Sequence, residues 1–153
     1  MKCPSLLLLL LLVLVITGAC KSDNPGPDPS TLPAMSHKLR IRVGSDTFTA
    51  TLYDNNPTVT DFLTRLPLTI SMVELNGNEK YYDLPQGLPA KAINPGRIQA
   101  GDLMLYGSDT LVLFYQTFTT SYSYTRMARV DNPAGLATAL GRGNVSVTFE
   151  LQS

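Results

Sequence analysis

The chain is poor in the residues that build disulfides, metal centres and catalytic triads. Its 153 residues include two cysteines, one histidine and no tryptophan. The cysteines are Cys3 and Cys20, so the sequence beyond Cys20 can form neither a disulfide framework nor a thiolate metal site. His37, the single histidine, lies where the proline-rich linker meets the domain. It is therefore poorly placed to act as the central base of a Ser-His-Asp triad. We therefore predict no metal site and no cofactor, and the sequence indicates no catalytic residue.

An excess of positive charge is also lacking. Twelve Lys and Arg residues balance 12 Asp and Glu residues, which leaves a formal net charge of zero. Nucleic-acid binding depends on clustered basic side chains that neutralise phosphates. Because the chain contains no such cluster, we predict no nucleic-acid partner.

The N-terminal end carries the longest apolar run of the chain. Lys2 is followed by an unbroken apolar stretch over residues 6–16 and by the small residues Thr17, Gly18 and Ala19. This layout is typical of a cleaved secretory signal. A membrane-spanning helix needs about 20 apolar residues, so a short membrane anchor is the less favoured alternative.

The small residues before Cys20 resemble the bacterial lipoprotein box, with Thr17 where leucine is usual. The resemblance implies that residues 1–19 are a signal peptide and that Cys20 is acylated, for example with palmitate, and becomes the new N-terminus. Two or more acyl chains hold a protein stably on a membrane. We therefore expect an extracytoplasmic protein of the bacterial cell envelope, lipid-anchored to the membrane through Cys20.

Residues 20–36 form a predicted linker that begins with the acylated cysteine. They contain Pro25, Pro27, Pro29 and Pro33 among small and polar residues. Such a composition buries little apolar surface and favours an extended tether. The linker leaves residues 37–153 for a single domain.

That domain has the pattern of short strands interrupted by two short helices. Asn56 as a cap, Pro57 at the first helical position and Pro67 beyond the end predict the first helix. Pro133 and Gly141 bound the second. Alternating or β-branched segments predict strands at 39–43, 47–52, 68–75, 79–84, 101–106, 110–118, 122–130 and 144–151. The pattern predicts a mainly β fold, a closed or nearly closed barrel with two short helices.

One predicted turn allows two registers. A two-residue turn at Asn76-Gly77 would place Glu74 opposite Glu79, which is a repulsive pair. A longer loop instead pairs Glu74 with Lys80 and avoids the conflict. A calcium ion between the two carboxylates is a third, less favoured interpretation.

The order of elements resembles that of the cyclophilins over most of residues 38–151. Asn56-Pro57-Thr58-Val59-Thr60-Asp61-Phe62 is similar to the start of their first helix, where a proline precedes a buried phenylalanine. Gly101-Asp102-Leu103-Met104 and Leu113-Phe114-Tyr115 resemble the strands that floor the cyclophilin groove. Ser121-Tyr122-Ser123-Tyr124-Thr125-Arg126-Met127 is similar to a motif of bacterial cyclophilin-like proteins of uncharacterised role, in which glycine commonly stands where this chain has Ala128. The resemblance implies a cyclophilin-like closed β-barrel.

The residues that make cyclophilins prolyl isomerases are mostly missing. The resemblance places Tyr82 where cyclophilins have an arginine and Tyr124 where they have a histidine, while Gln86-Gly87 matches only part of a Gln-Gly-Gly stretch. The groove tryptophan has no counterpart. We therefore expect a binding or accessory module for a peptide or small ligand rather than an enzyme. The alternatives are a divergent peptidyl-prolyl cis-trans isomerase and a purely structural envelope protein.

A cluster of aromatic residues marks the candidate groove. The segments 110–118 and 122–130 are expected to pair as a hairpin, with Tyr122, Tyr124 and Arg126 on one face. Arg126 would meet a carbonyl or anionic group while the rings bury an apolar ligand. Ordinary packing of these side chains is the alternative. The candidate groove residues are Tyr82, Phe114, Tyr115, Phe118, Tyr122, Tyr124 and Arg126.

Mass spectrometry of the mature protein tests the predicted anchor. We expect an N-terminus at Cys20 that carries acyl groups, because small residues leading to a cysteine serve no purpose in a soluble domain. Cys20→Ser should abolish acylation, whereas Cys3→Ser, a change within the removed segment, should leave it intact. An unmodified Cys20, or a mature chain that still begins at Met1, would show that the prediction is wrong.

Overall fold

The computed structural model describes residues 37–152, so the predicted signal peptide, Cys20 and the linker lie outside the described residues. No helix within the described range is long and apolar enough to span a bilayer. The elements in chain order are β1 (Lys38–Val43), β2 (Asp46–Leu52), α1 (Pro57–Thr64), β3 (Leu68–Leu75), β4 (Glu79–Asp83), β5 (Arg97–Ile98), β6 (Asp102–Tyr106), β7 (Thr110–Phe114), β8 (Phe118–Thr119), β9 (Thr125–Val130), α2 (Leu136–Leu140) and β10 (Val145–Gln152).

Eight of these strands close into an antiparallel barrel. Their order around the barrel is β1-β10-β3-β4-β7-β6-β9-β2, while β5 and β8 form a separate two-stranded sheet. Closure pairs every barrel strand on both sides, which removes the free edges through which sheets aggregate. The predicted mainly β fold, a closed barrel with two short helices, is confirmed.

The first helix is attached to the barrel at its N-terminus through Asn56. The Asn56 carboxamide oxygen accepts a hydrogen bond from the Thr58 amide at 3.0 Å, and its nitrogen donates to the Arg126 carbonyl at 2.7 Å. These bonds cap the helix and join it to β9. Phe62 is thereby directed into the barrel interior, where its ring meets Phe149 edge-on at 5.9 Å between centroids.

The β3–β4 hairpin adopts the longer of the two predicted loops. Glu74 pairs with Lys80 and Leu75 with Glu79, which leaves residues 76–78 as the connection. Asn76 and Gly77 both adopt left-handed backbone conformations, with φ of 56° and 67°, a region that asparagine and glycine tolerate best. Of the registers that the sequence allowed, the structure has the one that pairs Glu74 with Lys80 and avoids the repulsion between Glu74 and Glu79.

Lys80 is buried inside the barrel end, with none of its side chain exposed. Its ammonium group donates hydrogen bonds to Glu74, to the Gly141 carbonyl at 2.8 Å and to the Gly143 carbonyl at 2.6 Å. The Tyr115 hydroxyl donates to the same carboxylate at 2.8 Å. All three protons of the ammonium group thus have an acceptor, as a buried charge requires.

The hydrogen bonds of this cluster shift the pKa values of its acidic groups. Burial by itself raises the pKa of Glu74, but hydrogen bonds from Lys80, Tyr115 and Gly77 together bring it below the ordinary value of 4.5. Burial and then the bond to Glu74 raise the pKa of Tyr115 to about 12. Glu74 therefore stays ionised at neutral pH and Tyr115 stays protonated.

Two sequence-based expectations are wrong. The segments 110–118 and 122–130 do not pair as a hairpin, because β6 lies between β7 and β9 and pairs with both. Both segments also contain shorter barrel strands than expected, since β7 ends at Phe114 and β9 begins at Thr125. The intervening chain leaves the barrel to form β8, which pairs with the unpredicted strand β5.

Replacing Lys80 tests the structural role of the buried cluster. We expect Lys80→Ala to lower the free energy of unfolding by roughly 3 to 5 kcal/mol, because the Glu74 carboxylate and two carbonyls lose their partner. Lys38→Ala is the matched control, since Lys38 pairs with Asp131 at the exposed surface, where such pairs contribute up to about 1 kcal/mol. Urea unfolding followed by circular dichroism measures both. Similar midpoints for the two variants would contradict a central role for Lys80.

Candidate functional site

A cavity of about 560 Å³ lies on the outside of the barrel, along β4 and β7. We call it the outer groove. Its floor consists of outward-facing side chains of β4, β7 and β6, and its far wall is the chain segment 118–124. The β3–β4 turn closes one end. The residues that line it are Leu75, Asn76, Asn78, Glu79, Tyr81, Asp83, Tyr106, Thr110, Val112, Phe118, Thr119, Thr120, Ser121, Tyr122 and Tyr124.

The floor follows from strand alternation and register. Because Lys80 and Tyr82 pack toward the barrel interior, the period of two turns Glu79, Tyr81 and Asp83 outward. Side chains that lie opposite one another on β4, β7 and β6 form rows across the floor. In one row Tyr81 lies opposite Val112, and Val112 lies opposite Met104. Asp83 lies opposite Thr110, which in turn lies opposite Tyr106.

A second apolar cluster outside the barrel supports the floor. β6 and β7 bury side chains on both faces, one set in the barrel interior and the other beneath the outer groove. Double-sided burial explains why both strands have nearly continuous apolar sequences. The outer cluster consists of Ile98, Met104, Val112, Phe114 and Tyr124, with Tyr81 and Phe118 packed against it.

The aromatic rings of the groove form a connected series from base to rim. Phe114 contacts Phe118 and Tyr124, with ring centroids 5.7 and 5.5 Å apart. Tyr124 continues to Tyr106 at 5.6 Å, and Tyr106 to Tyr122 at 6.1 Å. Such pairs stabilise one another beyond the area they bury. Tyr106 and Tyr122, 46% and 62% exposed, form the open rim.

Backbone hydrogen bonds hold the wall segment in place. Ile93 and Tyr124 exchange two amide-to-carbonyl bonds at 3.0 and 2.9 Å, and the Thr120 amide donates to the Gly96 carbonyl at 3.0 Å. The Asn94 carboxamide donates to the Ser121 carbonyl at 3.1 Å. The loop before β5 therefore positions the aromatic wall, although it does not itself line the groove.

The charged lining of the groove is entirely acidic. Glu79 and Asp83 lie on its floor, and none of the described lining residues is basic. The Thr110 hydroxyl donates a hydrogen bond to Asp83 at 2.7 Å. Glu79 is half-buried and takes part in none of the ion pairs found within residues 37–152.

The lack of a cationic partner among residues 37–152 affects the pKa of Glu79. Burial first, and then the negative charge of Glu74, raise the pKa of Glu79 above 4.5. Burial and the nearby Glu79 charge also raise the pKa of Tyr124, against the opposing effect of a hydrogen bond with Thr120. In the described part of the chain no three His, Cys, Asp or Glu side chains come together as metal ligands.

The amino-acid sequence of the barrel matches a known family model. The family model described as the cyclophilin-like family matches residues 41–150. The chain belongs to the cyclophilin-like family. A solved structure of similar fold, a hypothetical protein from Archaeoglobus fulgidus, is 20% identical and superposes with a TM-score of 0.54 over 76% of this chain and 95% of its own. No curated protein matches the sequence.

Membership in the cyclophilin-like family confirms the resemblance, and the structure shows which of the candidate groove residues line the outer groove. The resemblance places Tyr82 at the cyclophilin arginine position, yet Tyr82 packs against the barrel interior and Tyr81 is the tyrosine on the groove floor. Tyr115 is likewise directed to the interior, where it bonds Glu74. Neither Tyr82 nor Tyr115 lines the groove.

The other predicted groove residues divide between lining and support. Phe118, Tyr122 and Tyr124 line the cavity, and Phe114 lies beneath them in the outer cluster. Arg126 lies opposite Met104 on β9, at a β-bulge, and does not line the cavity. Its buried Nε has no hydrogen-bond partner among the described residues.

Sequence reasoning missed Glu79 and Tyr106 as lining residues. The signal for Glu79 was present, because pairing Lys80 with Glu74 directs Lys80 inward and therefore turns its neighbour Glu79 outward. Tyr106 is the last residue of β6 and follows its apolar residues Leu103, Met104 and Leu105. Its side chain lies on the outer face of the barrel. The resemblance to the cyclophilin groove floor extended only to Met104 of this strand, so it did not include Tyr106.

The pH dependence of stability tests the state of Glu79. A raised pKa means that the folded state binds the proton more tightly than the unfolded state, so ionised Glu79 destabilises the fold at neutral pH. Glu79→Gln should therefore raise the free energy of unfolding at pH 7. The gain should vanish as the pH falls below about 4.5, where Glu79 is protonated in both states. Urea titrations between pH 4 and pH 8 measure the difference.

Glu150→Gln is the matched control. Glu150 pairs with Arg40 at 3.5 Å and Arg42 at 3.7 Å, so its neutralisation should bring no gain at pH 7. If Glu79→Gln were less stable than the wild type at pH 7, the unfavourable environment inferred for Glu79 would be wrong.

Proposed function

We propose that this protein is a lipid-anchored, extracytoplasmic module of the bacterial cell envelope whose cyclophilin-like domain binds a peptide or small ligand in the outer groove. The observation that carries the proposal is the groove itself. Its volume of about 560 Å³ falls within the range of roughly 300 to 1,000 Å³ typical of ligand sites.

The composition of the groove favours binding. Small-ligand and peptide sites combine apolar and aromatic walls with a few polar groups, and the outer groove has Phe118 and four tyrosines beside two carboxylates. Tyr106 and Tyr122 expose large rings at its rim. Exposed tyrosines near a concave surface are frequent anchors of binding interfaces.

The anchoring part of the proposal rests on the sequence. Cys20 follows a signal-like run and small residues, and the proline-rich residues after it suit a tether. A tether of 16 residues between Cys20 and residue 37 would keep the groove near the membrane surface.

A binding role is preferred to prolyl isomerisation because of what lines the groove. Among the described residues the lining includes no Arg, Gln, His or Trp, the residue types that the cyclophilin resemblance links to catalysis. The divergent isomerase therefore remains the alternative outcome of the experiment below.

The proposal is tested with the full-length protein in detergent micelles and a pool of random heptapeptides. We expect amide chemical shifts in NMR spectra to change at residues of the outer groove. For the best binder isolated from the pool, Tyr106→Ala and Tyr122→Ala should each weaken binding about tenfold, since buried aromatic anchors dominate such contacts. Leu151→Ala, a change of another exposed apolar side chain, should leave the affinity unchanged.

A parallel assay follows cis-trans exchange of a proline-containing tetrapeptide. We expect the exchange rate in the presence of the protein to equal the uncatalysed rate. Acceleration that is lost in Tyr81→Ala would favour the isomerase instead, and shift changes confined to other surfaces would overturn the binding role of the groove.

A further inference from the structure

The two acidic residues of the outer groove occupy one face of one strand. Glu79 and Asp83 lie at the two ends of β4 and both point into the groove. A strand rises about 3.3 Å per residue, so four residues separate their Cα atoms by about 13 Å. The groove extends along the whole of β4, from the turn at Asn76 to Thr110 and Tyr106.

Glu79 is a carboxylate without a cationic partner among the described residues. It is half-buried, has no ion-pair partner within residues 37–152 and has Glu74 as an acidic neighbour. A buried charge is stabilised mainly by a paired charge with hydrogen bonds. The chain supplies such a partner to Glu74 through Lys80, and to Asp102 through Arg129 at 2.7 Å. Glu79 receives none among the described residues, so a positive charge on a ligand would find its counter-charge there.

The aromatic residues around the carboxylates suit the same kind of ligand. Tyr81 lies between Glu79 and Asp83 on the floor, while Tyr106 and Tyr122 form the rim. Ammonium and guanidinium groups are attracted to the faces of aromatic rings. The rings also cover the methylene stems of Lys and Arg side chains, which are largely apolar.

We propose that the outer groove selects an extended basic peptide segment, with Lys or Arg side chains four residues apart that reach Glu79 and Asp83. The proposal rests on the binding function proposed above and specifies its ligand. A peptide lying along β4 matches the geometry because residues i and i+4 of an extended chain lie on one face and are also about 13 Å apart. A single small cation could occupy only one of the two carboxylates.

Fluorescence anisotropy with labelled nine-residue peptides tests this specificity on the full-length protein in detergent micelles. The peptides are built on one uncharged Gly/Ser/Phe sequence, and each carries two substitutions. One has Lys at positions 3 and 7, one Lys at positions 4 and 6, one Gln at 3 and 7, and one Glu at 3 and 7. We expect the 3,7-Lys peptide to bind at least about tenfold more tightly than the Gln peptide, as charge-assisted hydrogen bonds imply.

The 4,6-Lys peptide should bind with intermediate affinity and the Glu peptide should be the weakest. Raising the salt concentration should reduce the difference between the Lys and Gln peptides, because salt screens exposed charges.

Variants of the protein locate the effect. Glu79→Gln and Asp83→Asn should each lower the affinity for the 3,7-Lys peptide about tenfold and leave the affinity for the Gln peptide unchanged. Glu150→Gln, which removes a carboxylate on another face of the barrel, should change neither. Circular dichroism and urea unfolding verify that each variant is folded.

Several results would overturn the proposal, and they separate it from the binding function. If the Gln peptide binds in the groove as tightly as the 3,7-Lys peptide, the groove binds peptides but does not select basic ones. If the Lys peptides bind but Glu79→Gln and Asp83→Asn have no effect, the basic site lies elsewhere. If lysine amide binds as tightly as the 3,7-Lys peptide, the ligand is a small cation. If none of these peptides binds, the selection of basic peptides is overturned, while the binding function is decided separately by the heptapeptide pool.

Discussion

The ion pair between Lys80 and Glu74 sets the register on which the outer groove depends. It holds β3 and β4 together at the one place where a turn with Asn76 and Gly77 could close in two ways. A shift of one residue would turn every side chain of β4 to the opposite face. Glu79, Tyr81 and Asp83 would then point into the barrel, and the groove would lose its floor. The bonds from Lys80 to the Gly141 and Gly143 carbonyls extend this constraint to the chain between α2 and β10.

The double-sided burial of β6 and β7 connects the barrel to the site. Their inward residues join the main core, and their outward residues, which include Phe114, support Tyr124, from which the aromatic series continues to the rim. Most barrel strands bury one face only, so an apolar outer face needs a cover. The segment 118–124 provides it, and the space left between cover and floor is the outer groove. The same packing therefore stabilises the fold and shapes the cavity.

Charge is distributed unequally between the inside and the outside of β4. Lys80 on the inner face has a full set of acceptors, whereas Glu79 beside it on the outer face has no cationic partner in the described chain. An unpaired, half-buried carboxylate costs stability, and proteins tolerate such costs most often where function requires them. This contrast within two adjacent residues is the reason for assigning the acidic floor to ligand recognition rather than to the stability of the barrel.

The sequence by itself determined the main elements of the barrel and several local choices. Pro57 and Pro67 bounded α1, alternation located the eight barrel strands, and the repulsion between Glu74 and Glu79 favoured the longer turn, because each of these depends on residues close in the chain. The order of strands around the barrel could not be predicted from the sequence. That order places β6 between β7 and β9, brings Tyr106 to Tyr122 and leaves Arg126 outside the groove, and it depends on contacts between distant segments. Of the predicted groove residues, Phe118, Tyr122 and Tyr124 line the cavity, whereas Tyr82 and Tyr115 face inward. Tyrosine suits either face of a strand, so only the tertiary structure, through the register fixed by Lys80, decided which tyrosines meet the groove.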